Sequence, residues 1–216
     1  MTPLYVGAIG MITCAWWLGS EGTLFALYIT VFVCAAWRLL DRRQESRMSD
    51  VVSSTFTAVY VPFLASFVVL MLAAWRDPWV FVVFELMVIA NDTGGWAAGV
   101  LFGKHPMAPA LSPKKSWEGF AGSALTAVGV GCVGLWWLGA AWWWGIVAGV
   151  SIAFVGTMGD LTESLIKRES GLKDMSQILP GHGGVLDRVD ALLMSAPVAY
   201  FIFAWALPGI SWESSH

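Results

Sequence analysis

Long apolar runs constrain this chain more than any other feature. A helix that crosses the hydrocarbon core of a bilayer needs about 20 apolar residues. Runs near that length occur at Pro3–Gly19, Thr23–Leu40, Val51–Trp75, Trp79–Phe102, Trp117–Leu138, Ala141–Met158 and Val189–Leu207. Read as buried core helices of a water-soluble domain, seven such runs in 216 residues would leave no polar surface to cover them. The chain is therefore expected to be all-α: a polytopic integral membrane protein with about seven transmembrane helices, forming a single membrane-embedded domain over residues 1–216. Hydrophobic residues make up 57% and charged residues 12%, against roughly 25% charged in soluble domains. Many of the 14 Trp lie near the ends of the runs, as in the aromatic belts of membrane interfaces. The first run lacks a basic start and an obvious small-residue cleavage site, so it is expected to remain as a span.

Net charge is only -3, which implies no nucleic-acid or other polyanionic partner. Its distribution says more. Arg38, Arg42, Arg43 and Arg47 follow the second run, Lys104, Lys114 and Lys115 the fourth, and Lys167, Arg168, Lys173 and Arg188 the sixth. If the chain alternates, these lie on one side and only Arg76 on the other. The positive-inside rule makes that side cytoplasmic, with the N-terminus inside and the C-terminus outside. The link Asp41–Asp50 reads as a topology-setting loop or as a short interfacial helix drawn to anionic head groups. Cys14, Cys34 and Cys132 each sit inside an apolar run and read as small packing residues.

Between the last two runs lies the longest polar stretch, Gly159 to Asp190. Ions in hydrocarbon are costly, so this charge must meet water or a charged ligand. Asp187 and Asp190 share one face if the last helix begins there. Mg²⁺ takes oxygen ligands, commonly one or two carboxylates with substrate phosphates, and Asp160 is placed to complete such a site. On a helix, Asp160, Glu163, Ser164 and Lys167 form an i, i+3, i+4, i+7 stripe that sets metal ligands beside a phosphate-binding cation; a solvated salt-bridge face is the other reading. Pro180-Gly181-His182-Gly183-Gly184 can bring backbone N–H groups close to an anion. With Lys167, Arg168 and Lys173 nearby, it suggests nucleotide phosphates bridged by metal.

Two further polar intrusions accompany it. Asn91-Asp92-Thr93-Gly94-Gly95 interrupts the fourth run, with Asp92 roughly 20 Å from Trp79 on a helix rising about 1.5 Å per residue. A charge at that depth costs at least about 2.5 kcal/mol and must face a polar cavity or a partner. Glu85 lies two turns earlier on a similar face. Ser112-Pro113-Lys114-Lys115-Ser116-Trp117-Glu118-Gly119 reads as a basic loop leading to a helix capped by Ser116, a place where anions gather.

Ser164-Leu-Ile-Lys167-Arg168, Lys173-Asp174, Leu179-Pro180-Gly181-His182-Gly183-Gly184 and Asp187-Arg188-Val189-Asp190 together resemble the signature of phosphatidate cytidylyltransferases, or CDP-diacylglycerol synthases. Asn91-Asp92-Thr93-Gly94, Phe102-Gly103-Lys104 and Ser112 to Gly119 resemble family segments in the same order. Gly99-Val100 departs from the family's usual Gly-Arg, and the N-terminal half is shorter than in the family. The resemblance implies a bacterial-type enzyme of the inner (cytoplasmic) membrane whose active site faces the cytoplasm. It would condense CTP with phosphatidate, giving CDP-diacylglycerol and pyrophosphate. It also implies Mg²⁺ with a second cation, Asp160, Asp187 and Asp190 as metal ligands, and a homodimer.

On that reading residues 1–75 supply N-terminal spans and residues 79–207 the catalytic spans and loops. Lys167, Arg168, Lys173 and Lys114 contact phosphates, and Asp92 shapes the cavity at the lipid end. Ser112, Lys115, His182, Gly183, Gly184 and Arg188 complete the expected substrate site. Two other readings stand beside it. One is another CTP-using lipid enzyme, an isoprenoid lipid cytidylyltransferase or polyprenol kinase. The other is a transporter with Asp92 as an ion site, though no internal repeat is visible.

Overall fold

The computed structural model describes residues 2–40, 48–109, 112–169 and 186–207. The helices divide between two compact units, the first carrying α1 to α4 and the second α5 to α8.

In the first unit, α1 (Thr2–Trp17) and α2 (Gly19–Leu40) are separated by a tight reversal. Gly19 takes the left-handed conformation there, with φ 68°, which costs glycine little. Gly7 lets α1 approach α2 closely, since a Cβ on it would lie 2.2 Å from the Thr30 side chain. One right-handed rod then runs through α3 (Met48–Ala58), a π-helical turn (Val59–Phe63) and α4 (Leu64–Trp75). Pro62 sits in the π turn. Its missing N–H cannot close an ordinary turn, and the widened register absorbs the defect without breaking the helix. The rod stops at Arg76, which is left-handed at φ 51°. Its N–H still donates to the Leu72 carbonyl at 3.1 Å.

The second unit contains α5 (Pro78–Phe102), a hairpin of β1 (Pro106–Ala108) and β2 (Ser112–Ser116), α6 (Trp117–Trp137), α7 (Trp144–Glu169) and α8 (Leu186–Ala206). The hairpin is an addition to the helical architecture expected from sequence. A second difference concerns α7, whose apolar run ends at Met158. It runs unbroken to Glu169, because the sequence from Gly159 to Glu169 contains no proline to stop it. Asp160, Glu163, Ser164 and Lys167 consequently share a continuous helix.

Each expected span has a helical counterpart. Among the described residues, five helices are long and apolar enough to cross a membrane: Gly19–Leu40, Asp50–Trp75, Pro78–Phe102, Trp117–Trp137 and Trp144–Thr162. At 16 residues α1 covers roughly 24 Å, less than a hydrocarbon core of about 30 Å. The apolar part of α8, Ala191–Ala206, is also short. Large apolar side chains such as Leu125, Val133, Phe154 and Trp205 point outward and are exposed, which suits lipid rather than water. Hydroxyls within the helices, among them Thr23, Thr30 and Thr162, donate to carbonyls one turn back, so they need no water. At one end of the second unit Trp79 meets Trp137 edge-on at 5.2 Å, and Trp143 stacks on Trp144 at 4.3 Å.

Close helix approach holds the second unit together. Phe84, Met87, Leu135, Ile152 and Phe203 are fully buried in its core. A Cβ on Gly145 of α7 would lie 2.1 Å from the Cys132 backbone nitrogen of α6, so the two backbones pack where no side chain fits. Gly145→Leu should therefore lower the thermal transition in detergent markedly, corresponding to about 3 kcal/mol or more by overpacking. Gly129→Ala, at a site with nothing within 4 Å, should leave it within a degree or two. Equal transitions for the two variants would refute this account of α6–α7 packing.

Candidate active site

The site is built where α5 ends and α6 begins. Glu118, in the first turn of α6, clamps the connecting segment. Its Oε2 accepts from the Lys104 and His105 backbone N–H groups, both at 3.2 Å, and its Oε1 lies 2.6 Å from His105 Nδ1. The Trp117 N–H donates to the His105 carbonyl at 3.0 Å. Ser116 caps α6 as its sequence position suggested: it is extended (φ -122°, ψ 156°), and its Oγ accepts from the Gly119 N–H at 3.1 Å. A capped helix, a paired strand and a clamped loop thus fix the backbone on either side of Lys115. Only its long side chain is left free to choose a partner.

Beneath the hairpin lies a cavity of ≈ 280 Å³. Its charged members are Asp92 from α5, Lys115 from β2 and Asp160 from α7, and Asn91, Ser123 and Thr157 add polar surface. Trp96 and Phe120 supply aromatic wall. Missing side chains make the space: Gly95, Gly99 and Gly119 all border it. A Cβ on Gly95 would fall 2.2 Å from Ser123 Oγ. With α5 and α6 this close, Ser123 Oγ donates to the Asn91 carbonyl at 2.7 Å and Thr126 Oγ1 to the Ala90 carbonyl at 2.7 Å.

Asn91 is the most constrained polar residue of the site. It is 4% exposed. Its Nδ2 donates to Asp92 Oδ1 at 3.1 Å, which steadies that carboxylate. Its Oδ1 is buried without a hydrogen-bond partner among the described residues, as is Ser195 Oγ on α8. Gly156 lies next to both: a Cβ there would be 3.2 Å from Asn91 Nδ2 and 3.8 Å from Ser195 Oγ. A buried acceptor with no donor is expensive, and at a cavity wall it invites a ligand, water or cation.

The cavity brings together residues 68 positions apart in sequence, from Asp92 to Asp160. Lys115 Nζ donates to Asp160 Oδ2 in a partly exposed ion pair. With Asp92 added, the described charges of the cavity are two acidic and one basic. The donor set is entirely oxygen (Asp92, Asp160 and the orphaned Asn91 Oδ1), which fits a hard cation such as Mg²⁺. Among the described residues alone, no group of three or more His, Cys, Asp or Glu is close enough to hold a metal.

Of the residues singled out from sequence, Asp92, Lys115 and Asp160 meet in this cavity. Ser112 opens β2 opposite Ala108 and does not line the cavity. Lys114 is in the same strand, Lys167 and Arg168 are in the last turn of α7, and Asp187, Arg188 and Asp190 are in the first turns of α8. The side chains of these six lie outside the described set. Helix α8 does begin at Leu186, so Asp187 and Asp190 have the helical spacing expected of them. Lys173, His182, Gly183 and Gly184 lie outside the described residues. Glu85 is not at the cavity, and its Oε2 is buried with no partner among the described residues. Sequence reasoning passed over Asn91, Ser123 and Thr157 as individual contributors. Asn91 carried a signal, being an amide inside an apolar run; Ser123 and Thr157 are ordinary in membrane helices and carried none.

Apolar helices of membrane-spanning length around a charged, glycine-walled cavity define a helical membrane protein with a candidate polar site. The comparisons with known proteins narrow that class. Residues 1–206 match the model of the cytidylyltransferase family, and the chain belongs to that family. It is 41% identical over 214 residues to the phosphatidate cytidylyltransferase of Mycobacterium bovis, covering 93% of this chain and 70% of that protein. To the phosphatidate cytidylyltransferase of Mycobacterium tuberculosis H37Rv it is also 41% identical, covering 93% of this chain and 65% of that one. A phosphatidate cytidylyltransferase of Haemophilus influenzae is 39% identical over 155 residues, 66% of this chain and 54% of the relative. The chain therefore spans about two thirds of the length of its mycobacterial relatives.

Asn91→Leu removes the donor to Asp92 along with the orphaned acceptor, and turnover should fall at least about tenfold. Ser123→Ala removes one hydrogen bond worth about 1 kcal/mol and should shift the thermal transition by a few degrees while sparing most activity. If Asn91→Leu kept full turnover in a folded protein, the Asn91–Asp92 pair would have no part in the site.

Proposed function

We propose that this chain transfers the cytidylyl group of CTP to phosphatidate, releasing pyrophosphate and forming CDP-diacylglycerol for phospholipid synthesis. The observation that carries the reading is the convergence of Asp92, Lys115 and Asp160 on one cavity, in a chain whose named relatives are phosphatidate cytidylyltransferases. Membership of this family disfavours a transporter, and the absence of a visible internal repeat agrees.

In the reaction a phosphate oxygen of phosphatidate forms a bond to the α-phosphorus of CTP, and the bond to the β-phosphate oxygen breaks. The nucleophile is already anionic at neutral pH, so the chain need not supply a strong base. Its task is to bring two anions together and to receive negative charge as pyrophosphate departs. Lys114, Lys115, Lys167, Arg168 and Lys173 serve this as phosphate contacts. His182, Gly183, Gly184 and Arg188 complete the substrate site through ring, backbone and guanidinium donors, while Ser112, away from the cavity, has no part in it. Asp160, Asp187 and Asp190 would hold Mg²⁺ together with a second cation, which when bound neutralises the triphosphate and orients it. The carboxylate oxygens of Asp92 and Asp160 in the cavity and the orphaned Asn91 Oδ1 support a hard cation there. Asp92, anchored by Asn91, shapes the end of the cavity that receives the lipid.

The same reading has seven transmembrane spans, including α1 and α8, in the inner membrane. The N-terminus and the loop between α7 and α8 face the cytoplasm. The clustering of Lys and Arg on one side of an alternating topology supports this orientation, and CTP is a cytoplasmic substrate. A homodimer is the proposed assembly, on the strength of the family resemblance.

Purified protein with phosphatidate, CTP labelled in cytosine, and Mg²⁺ should yield a cytosine-labelled lipid and pyrophosphate in equal amounts. Label-free phosphorylated lipid with release of CDP would instead identify a kinase, and activity only on an isoprenoid phosphate would replace phosphatidate as the substrate. Asp160→Asn and Asp187→Asn should each remain folded in detergent yet lose at least about a hundredfold in turnover. Near-normal turnover in either variant would remove that residue from the metal site.

A further inference from the structure

We propose that Lys115 is a resident counter-ion of Asp160, exchanged for a metal cation when the site loads, and that the displaced ammonium then takes a phosphate group of the substrate. This rests on the reading of Asp160 as a cation ligand. It adds a coupling between metal and phosphate binding that the static site assignments do not contain.

Three observations carry it. First, Lys115 Nζ donates directly to Asp160 Oδ2, so a cation that takes both carboxylate oxygens must displace the ammonium, and one that takes Oδ1 alone repels it at close range. Second, the two groups face the cavity with side-chain exposures of 27% and 37%, so an incoming ion can reach the pair. Third, the residues flanking Lys115 are held: Ser112 and Ser116 pair across the hairpin with an irregular register between them, and Ser116 caps α6. The Glu118 clamp holds the loop that leads into the hairpin. The exchange therefore needs only rotation of a four-carbon side chain, with no helix displacement.

The charges give the exchange its direction. Without metal, Lys115 offsets one of the two carboxylates, Asp92 and Asp160, among the described cavity residues. A divalent cation on Asp160 brings the sum of these groups from one negative to one positive and leaves the ammonium without its partner. Of the acceptors then open to it, Asp92 is already engaged by Asn91 Nδ2, and a phosphate oxygen brought by the substrate takes the ammonium. Metal binding and phosphate binding consequently favour each other, and by linkage the effect is reciprocal. The empty site is at the same time spared an unpaired carboxylate.

The test is amine labelling of the intact protein in detergent, using an N-hydroxysuccinimidyl ester and mass-spectrometric readout at each lysine. The exposed Lys104 serves as internal reference, and ionic strength is matched throughout with NaCl. Mn²⁺ binding followed by electron paramagnetic resonance reports occupancy independently. In the wild type, Mg²⁺ should raise Lys115 labelling about threefold or more. Inorganic phosphate added at constant free Mg²⁺ should lower it again. Asp160→Asn should label strongly at Lys115 without metal, show no further rise with Mg²⁺, and bind Mn²⁺ at least about tenfold more weakly. If Mn²⁺ binding depends on Asp160 while Lys115 labelling ignores Mg²⁺, the exchange is wrong and the metal reading stands. Labelling that Mg²⁺ raises but phosphate does not lower would remove the second half of the exchange. If Mn²⁺ fails to bind, or binds Asp160→Asn as well as wild type, the metal reading falls and takes the exchange with it. Should Asp160→Asn not fold, the wild-type labelling still decides the exchange.

Discussion

The ion pair between Lys115 and Asp160 is the contact around which the rest of the second unit makes sense. Asp160 stands where the apolar part of α7 gives way to charge, partly exposed at a cavity, and Lys115 offsets its negative charge there. Lys115 is held at the right place by several local devices: a two-stranded hairpin, a serine cap and a glutamate clamp. None of these contributes much stability alone. Together they deliver one ammonium group to one carboxylate across three elements of the fold.

The cavity beside that pair exists because of what is absent. Glycines at 95, 99 and 119 let α5 and α6 approach while leaving open volume at the helix ends. In hydrocarbon, where helices gain nothing by hiding from water, such small-residue contacts and interhelical hydrogen bonds supply the association. Ser123 and Thr126 provide the hydrogen bonds here, each reaching a carbonyl of α5 at 2.7 Å. The same residues that pack the helices thus hold Asn91 and Asp92 at the cavity wall.

Much of the site was legible in the sequence because polar groups in apolar runs are conspicuous. Asp92 within the fourth run, the lysine pair before Trp117 and Asp160 at the end of the sixth run each stood out for that reason. Their meeting did not, since hydropathy gives depth along a helix but no rotation about it. Ser112 and Lys115 looked equally suited to binding, and strand register separates them: one opens β2 and the other ends beside α6. The sixth apolar run ends at Met158, yet charged residues with good helix propensity prolong α7 to Glu169, so the stripe from Asp160 to Lys167 is helical as its spacing suggested.

By itself, the sequence determined the helical membrane class, the family and which charged residues interrupt or border the apolar runs. Run length, charge placement and motif spacing are one-dimensional quantities, and the energetic cost of exposing polar groups to lipid makes them decisive. Only the tertiary structure decided that Asp160 faces Lys115, that Asn91 is buried with an unsatisfied oxygen, and that glycines leave a cavity between them. Those outcomes depend on how closely helix backbones approach and how each helix is turned about its axis. Both are set by side chains far apart in the chain.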